Sequence, residues 1–329
     1  MRVSVVSTVL NEADSLPRLL DSLATQTRAP DEVVICDGGS NDGTLHLLEA
    51  ERRLPLRVVQ RSGANISQGR NAAIAPATGD VIAVTDAGVC LSSHWLAEIV
   101  APFADGAVHS VAGAFAPAPQ TVFETALGAT VIPEVGELAD LDRYPPSSRS
   151  FAFRKSAWEA AGGYPEWIDY CEDVIFDLRL RDRFGMHSFA PEALVHFRPR
   201  RSLRAYWMQY YRYARGDGKA DLWPGQHLLR YASYLGGLAL FVVGLLSLWW
   251  LLALSGLLLL AGAIAFRSWK PCRRLARAWS GLTRSQKLRA VLWVPIIRVA
   301  GDAAKMVGYP VGLWWRWLHR AQVPDWRKP

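Results

Sequence analysis

From Tyr231 to Phe266 the chain runs for 36 residues without a single charge, YASYLGGLALFVVGLLSLWWLLALSGLLLLAGAIAF. A stretch of that length and composition exceeds what a soluble core helix needs and reads as membrane-spanning. Drawn as one helix it would reach about 54 Å at ~1.5 Å per residue, too long for a hydrocarbon layer of ~30 Å. Two short crossings with a turn near residues 247–250 fit better. Both flanks are basic, with Arg212, Arg215, Lys219 and Arg230 before the run and Arg267, Lys270, Arg273, Arg274 and Arg277 after it. The excess of Lys and Arg on both sides predicts that both ends face the cytoplasm. A buried hairpin of a soluble protein is the alternative, but such helices carry a polar stripe that this run lacks.

A third apolar segment, about 289–317, differs in kind. It contains Arg298, Asp302 and Lys305 at spacings that put all three on one helical face. That pattern suits a helix lying in the interface as well as one crossing with its polar face against protein. At the N-terminus, Val3 to Leu10 is too short for a signal-peptide core.

Charge divides the chain in the same place. Residues 1–197 hold 15 Lys and Arg against 26 Asp and Glu, and the remainder holds 22 against 4. The basic part is also the apolar part, which fits an anionic membrane surface and argues against a nucleic-acid partner. The four cysteines, Cys36, Cys90, Cys171 and Cys272, show neither paired nor metal-ligand spacing, an expectation of free thiols in a reducing compartment.

Up to about residue 115 the pattern is that of an α/β domain. VSVVSTVL (3–10), EVVICD (32–37), LRVVQ (56–60) and VIAVTD (81–86) read as strands, separated by helices near 16–24, from Thr44, and near 67–75. Continuous Val and Ile runs alternating with amphipathic helices predict a mostly parallel sheet covered on both faces, whose ligands sit beyond the carboxyl ends of the strands. Those ends carry Asn11 and Glu12, then Asp37 with Gly38, Gly39 and Ser40, then Asp86. One acid alone is a cap or turn residue more often than a ligand. Three at one edge repel one another and call for a cation or a hydroxyl-rich ligand. A dinucleotide fold is the rival for this topology, but TVLNEADS follows the first strand and carries no GxGxxG.

Taken in order, SVVSTVLNEADSLPRLLDSLATQ, PDEVVICDGGSNDGT, QGRNAAIAPATGD, VTDAG, GGYPEW, YCED and QYYRY resemble the family 2 glycosyltransferases of GT-A fold, over about residues 1–220. The resemblance implies a glycosyltransferase domain at 1–220 and a membrane region at 221–329, with a helical hairpin about 231–266. It implies that Leu10, Asn11 and Glu12 hold the nucleotide of a nucleotide-sugar donor, with Asp37 at base or ribose and Arg70 near the nucleotide. Asp86 matches the first acid of a DxD motif, which contacts the nucleotide and a divalent cation, Mg or Mn. Gly88 stands where the second acid would be. His196 matches a histidine that completes the metal site, although a lone histidine at a strand end is more often structural. In QYYRY, Gln209 and Arg212 match a motif on the diphosphate and acceptor side, with Tyr213 for Trp; the same residues could equally be snorkelling at a membrane surface.

The chemistry needs a base, because an acceptor hydroxyl attacking an anomeric carbon must lose a proton. In DYCEDVIFDLRL, Glu172 and Asp173 stand in the first turn of a helix, where the dipole alone would favour them. The resemblance makes Asp173 the general base beside Glu172, with Asp177 its substitute one turn on. One base and one leaving-group site suffice for inversion, whereas a double displacement needs a nucleophile as well. The resemblance favours inversion, and the expectation is an inverting enzyme with a lipid-linked or membrane-proximal acceptor, in cell-envelope glycan or glycolipid synthesis. It would be a multi-pass membrane protein with membrane lipids as partners and a cytoplasmic catalytic domain. A catalytically silent nucleotide-sugar-binding membrane protein is the alternative, and a small transporter is disfavoured by the soluble character of most of the chain.

Overall fold

The computed structural model describes residues 1–140 and 146–327. Packing divides them into two compact units that do not follow chain order. The first holds Met1–Ala118, Pro133–Arg198 and the end of the chain from Pro324; the second holds Pro119–Ile132 and Pro199–Val323.

The first unit is built on β1 (Val3–Val9), α1 (Leu16–Ala24), β2 (Glu32–Asp37), α2 (Thr44–Ala50), β3 (Leu56–Gln60), α3 (Ile66–Ile74), β4 (Val81–Val84), β5 (Val89–Leu91), α4 (Trp95–Val100) and β6 (Ser110–Pro117). The chain then forms α5 (Val122–Val131), which belongs to the second unit. It returns as α6 (Val135–Leu138), β7 (Phe151–Arg154), α7 (Lys155–Ala160), α8 (Glu172–Phe184) and β8 (Ser188–Phe197). The strands form one sheet in the order β3-β2-β1-β4-β7-β6-β8-β5. The first four are parallel, β7 runs antiparallel to both β4 and β6, and β8 is parallel to β6.

Two apolar layers cover the two faces, as continuous Val and Ile strands require. Val3, Val5, Ala83, Leu19 and Trp95 belong to one, and Val6, Val84, Ile74, Phe153 and Phe176 to the other. Helix α3 lies close against β1 because residue 69 is glycine: a Cβ there would stand 2.3 Å from Thr8 Oγ1. Its start is fixed by a reciprocal pair, Gln68 N donating to Asn65 Oδ1 at 2.9 Å and Asn65 N to Gln68 Oε1 at 3.0 Å. β4 ends at Val84, two residues earlier than its sequence pattern; Thr85 N still donates to the Val6 carbonyl, and its Oγ1 donates to the Arg149 carbonyl.

The second unit is helical. With α5 it comprises α9 (Leu203–Ala220), α10 (Pro224–Tyr231), α11 (Gly237–Leu246), α12 (Trp250–Arg277) and α13 (Arg284–Leu318). A wide turn over 232–236 joins α10 to α11, so the stretch Pro224–Leu246 forms one rod. It and Trp250–Arg277 are the two helices long and apolar enough to cross a membrane among the described residues. The reversal falls at residues 247–249, where Leu248 adopts φ +57. α12 continues past the end of the uncharged run to Arg277, because a change from apolar to basic side chains does not interrupt backbone hydrogen bonding. Leu246, Leu251 and Phe266 are each more than four-fifths exposed, so protein packing does not satisfy these rods.

α13 is a single helix spanning the third apolar segment. It packs backbone-close on α9: a Cβ at Gly308 would stand 2.2 Å from the Tyr211 carbonyl oxygen and one at Gly312 2.1 Å from that of Arg215. Asp302 is buried and accepts from Arg230 Nε at 2.9 Å, Arg267 Nη2 at 3.0 Å and Tyr234 Oη at 3.0 Å. Three segments of the unit thus converge on one carboxylate. α5 supplies Ala126, Leu127 and Ala129 to the core formed with Tyr206, Leu275, Val294 and Ile297.

Candidate active site

The carboxyl ends of β2, β1 and β4 lie side by side, with Asp37 in register with Val9 and Thr85 N donating to the Val6 carbonyl. Two clusters of polar side chains stand at this edge. In the first, Asn11 has φ +56, a conformation that asparagine tolerates better than most residues. Its backbone N–H donates to Ser40 Oγ and its Oδ1 accepts from Asn41 N, both at 2.9 Å. Glu12 N donates to Thr44 Oγ1 at 2.8 Å, and its carboxylate accepts from Ser15 Oγ. Leu10, just before, is exposed. These bonds clamp the loop after β1 to the loop after β2.

Asp37 is buried and turned onto its own loop, accepting from Gly39 N at 3.1 Å and from Ser40 Oγ at 2.5 Å. Asp42 accepts from Thr44 N and Oγ1, and these bonds to Thr44 hold its carboxyl below the usual range. The residue that caps α2 is Gly43, at φ +93, rather than one of the polar residues before it.

The second cluster is organised by Arg70, which is 3% exposed. Its Nη1 donates to Glu172 Oε1 at 2.7 Å and its Nη2 to Asp86 Oδ1 at 3.1 Å. The guanidinium lies 5.2 Å from the centre of the Tyr164 ring. One buried cation therefore ties the end of β4 to the start of α8, residues far apart in the chain. Asn71 completes the join: its Nδ2 donates to the Tyr164 carbonyl at 2.8 Å and to Glu166 Oε1 at 3.0 Å, while its Oδ1 accepts from Tyr164 N at 2.9 Å. The GGYPEW loop is held to α3 by that amide and by Asn65 Nδ2, which donates to the Glu166 carbonyl at 2.9 Å.

α8 starts after Cys171, which sits at φ +66, and brings Glu172 and Asp173 into its first turn. Burial first, then the neighbouring Asp173 charge, push the Glu172 carboxyl up to about 7, against the lowering effect of Arg70. Asp177 is 2% exposed with neither carboxylate oxygen hydrogen-bonded, and burial drives it well above the ordinary range. Asp173 is half-buried, and its Oδ1 accepts from Val174 N at 2.9 Å. Of the two carboxylates one turn apart, Asp173 is the one that keeps contact with solvent.

Asp86 is about one-third exposed and has a second cation, Arg149, whose Nε lies 3.6 Å from its Oδ2. Arg149 stacks 4.6 Å from the Phe197 ring centre, at the end of β8. His196, next to Phe197, pairs across the sheet with Cys90 and with Ala116; no hydrogen bond or ion pair among the described residues joins it to Asp86. Among the described residues no group of three or more His, Cys, Asp and Glu could hold a metal. Asp86 nevertheless keeps an exposed side, and a Cβ at Gly88 would meet nothing within 4 Å. One carboxylate with open space beside it fits an ion whose remaining ligands are water and phosphate oxygens.

Gln209 and Arg212 lie on α9 in the second unit. Gln209 Oε1 accepts from Arg200 Nε at 3.3 Å, and its Nε2 donates to Tyr213 Oη at 2.7 Å. Sequence reasoning missed Arg149 and Asn71. Asn71 adjoins Arg70 in a stretch already singled out, whereas Arg149 sits in a Ser- and Pro-rich loop with no spacing to mark it.

A mixed α/β sheet with acids gathered past the ends of its parallel strands, and a helix-borne acid pair beside them, defines a nucleotide-sugar transferase fold of GT-A type. Residues 4–158 match the family described as glycosyl transferase family 2, and the chain belongs to the family 2 glycosyltransferases. It is 24% identical over 222 residues to the O-antigen chain rhamnosyltransferase RfbN of Salmonella typhimurium, covering 63% of this chain and 71% of that protein. It is 26% identical over 229 residues to the succinoglycan biosynthesis protein ExoA of Rhizobium meliloti, covering 65% and 68%. Among solved structures, the mannosyltransferase PcManGT of Pyrobaculum calidifontis, in complex with GDP-Man and Mn2+, shares the fold at a TM-score of 0.54 and 18% identity, over 98% of this chain and 88% of that one.

Proposed function

We propose that the protein is an inverting glycosyltransferase that moves a sugar from a UDP- or GDP-linked donor to a lipid-linked or membrane-proximal acceptor in cell-envelope glycan synthesis. The reading is carried by the Arg70 bridge, which sets the acid at the end of β4 beside the α8 acid pair. The loops bearing Leu10, Asn11, Glu12 and Asp37 face the nucleotide, and Asp86 faces the diphosphate. Asp173 accepts the proton of the acceptor hydroxyl as its oxygen bonds to the anomeric carbon; the bond from that carbon to the diphosphate breaks, and the nucleoside diphosphate leaves with the electron pair. A divalent cation, when bound, neutralises charge developing on the leaving group. Asp86 is the residue that would hold it, with His196 the candidate second ligand. Gln209 and Arg212 serve the diphosphate and acceptor side. Names of relatives in O-antigen and succinoglycan assembly support an envelope acceptor.

The two apolar rods Pro224–Leu246 and Trp250–Arg277 cross the bilayer as a hairpin, and the basic residues at both ends keep the catalytic unit on the cytoplasmic side. The test is to incubate the full chain in detergent with UDP- and GDP-sugars and a native lipid extract, with mass detection of product. One donor is expected to yield a glycosylated lipid. Donor binding without any transfer would overturn the enzyme in favour of a silent nucleotide-sugar-binding membrane protein.

A further inference from the structure

Charge inside the helical unit does not balance. Asp302, buried on α13, accepts from both Arg230 and Arg267, so its one charge is divided between two arginines. His227 Nδ1 accepts from Arg230 Nη1 at 3.0 Å, which puts the ring proton on Nε2, where it meets Asp217 Oδ2 at 3.1 Å. Two more cations, Arg298 and Lys305, stand one turn from Asp302 on either side, both half-buried. Lys305 forms no hydrogen bond or ion pair with any described residue, and its Nζ lies 4.9 Å from the centre of the Tyr210 ring. The charges that act on it are Arg230 and Arg298 as well as Asp217 and Asp302. Arg230, Arg267, Arg298 and Lys305 therefore share two carboxylates among packed side chains, where an excess of one sign is costly.

Arg298 is held in place by a break in α12. Pro271 has no N–H to give to the Arg267 carbonyl one turn back, and Arg298 Nε reaches across from α13 to donate there at 3.0 Å. Its two terminal nitrogens have no partner among the described residues. Arg267 Nε is buried and likewise without an acceptor. Unmatched donors of α12 and α13 thus gather beside Asp302.

Tryptophans set the depth of this cluster along the hairpin. Trp249 and Trp250 are exposed at the turn, and Trp269 is exposed near the other end of α12. Trp250 and Trp269 are 19 residues apart, about 28 Å at ~1.5 Å per residue, which matches a hydrocarbon layer of ~30 Å with indole rings at both borders. Arg267, two residues before Trp269, therefore lies at headgroup depth. Phe266 beside it in the chain is 84% exposed, and Leu258 and Leu254 further along α12 are exposed as well. A ligand suited to this place is anionic at one end and apolar along the rest, which describes a lipid and not a soluble phosphate.

We propose that Arg267, Arg298 and Lys305 bind the headgroup phosphate of an anionic membrane lipid, with its acyl chains along the exposed apolar face of α12. This rests on the reading of the two rods as a membrane hairpin. Basic pockets between helices at the cytoplasmic border suit such headgroups, because each Lys or Arg there adds attraction that a zwitterionic lipid returns only weakly.

The experiment titrates the full chain in nonionic detergent with phosphatidylglycerol or phosphatidylcholine, with and without an excess of inorganic phosphate, and counts bound lipid by native mass spectrometry. Thermal melts of each protein check folding. Wild type is expected to take up one phosphatidylglycerol with an affinity at least ~5-fold above that for phosphatidylcholine, the scale of one basic residue at an anionic surface, and inorganic phosphate is expected not to displace it. Lys305→Met is expected to lose that preference and Lys305→Arg to keep it, whereas Arg273→Gln, which removes an exposed charge from the same flank, should change it by less than about twofold. Equal affinity of wild type for the two lipids would overturn the site, and this comparison decides even where Lys305→Met does not fold. A preference unchanged in Lys305→Met would overturn it too, as would equal losses in Lys305→Met and Arg273→Gln, the mark of attraction to the basic surface as a whole. Displacement by inorganic phosphate would overturn the lipid in favour of a soluble anion. Flotation with phosphatidylglycerol vesicles tests the hairpin separately: a chain left out of the vesicle fraction would remove the hairpin and this site with it, whereas a chain that floats without any lipid preference would overturn the site alone.

Discussion

Replacing Arg70 with methionine removes the cation between Glu172 and Asp86 while keeping a side chain of similar reach. Glu172 is then a buried carboxylate with Asp173 beside it and no counter-charge. Even with Arg70 present, burial and Asp173 raise its value from 4.5 to about 7. For an acid raised on folding, the stability it contributes is fully present below about pH 4.5 and is lost as pH rises through about 7. Without Arg70 the folded value climbs further, so the loss deepens at high pH. At pH 5.5, by contrast, Glu172 carries its proton in both folded proteins and hardly needs a partner. Removing one member of a buried pair costs about 3–5 kcal/mol, and nearly all of that falls on the Glu172 side, because Asp86 retains solvent and Arg149. At roughly 2–4 °C per kcal/mol for a domain of this size, the midpoint of unfolding should drop by roughly 6–20 °C at pH 8.5 and by less than half as much at pH 5.5. The assay is thermal unfolding of the full chain in detergent, followed by tryptophan fluorescence at the two pH values. Equal drops would refute the reasoning, since Arg70 would then be acting through shape and not through the Glu172 charge.

Asp173→Asn is expected to abolish sugar transfer with donor affinity unchanged within about twofold, and near wild-type turnover would remove Asp173 from its role as base. Asp86→Ala and chelation should each lower transfer by at least ~10-fold; if neither did, the cation would have no part in the reaction. Gly69→Ala puts a methyl 2.3 Å from Thr8 Oγ1 and should destabilise by about 1–3 kcal/mol, with Thr8→Ala in the same chain recovering most of it. Failure of that rescue in urea unfolding would mean that the Thr8 contact is not what limits the approach of α3.

Most of the first unit was legible because its signals are local. The strands VSVVSTV and EVVICD are continuous Val and Ile runs, and α1 and α2 fall where the apolar period places them. The turn of the hairpin was legible for a different reason, the mismatch between a 36-residue run and the thickness of a bilayer. What sequence could not reveal depends on contacts between distant segments. Nothing in QGRN says that Arg70 reaches Glu172, 102 residues on, and nothing in PPSSRS says that Arg149 faces Asp86. Asp37 illustrates the opposite error of emphasis: its position at a strand end was plain, but the carboxylate turns onto Gly39 and Ser40 of its own loop.

The excursion of the chain through α5 bears on how this protein can be cut. Residues 119–132 leave the sheet-bearing unit, bury Ala126, Leu127 and Ala129 among the helices of the other, with Phe123 edge-on to Trp293 at 5.0 Å, and then return. A fragment ended at 198 or 220 would keep α5 and lose α12 and α13, stranding that apolar face in water. Soluble expression of the catalytic half therefore calls for replacing 119–132 with a short polar loop as well as removing the C-terminal helices.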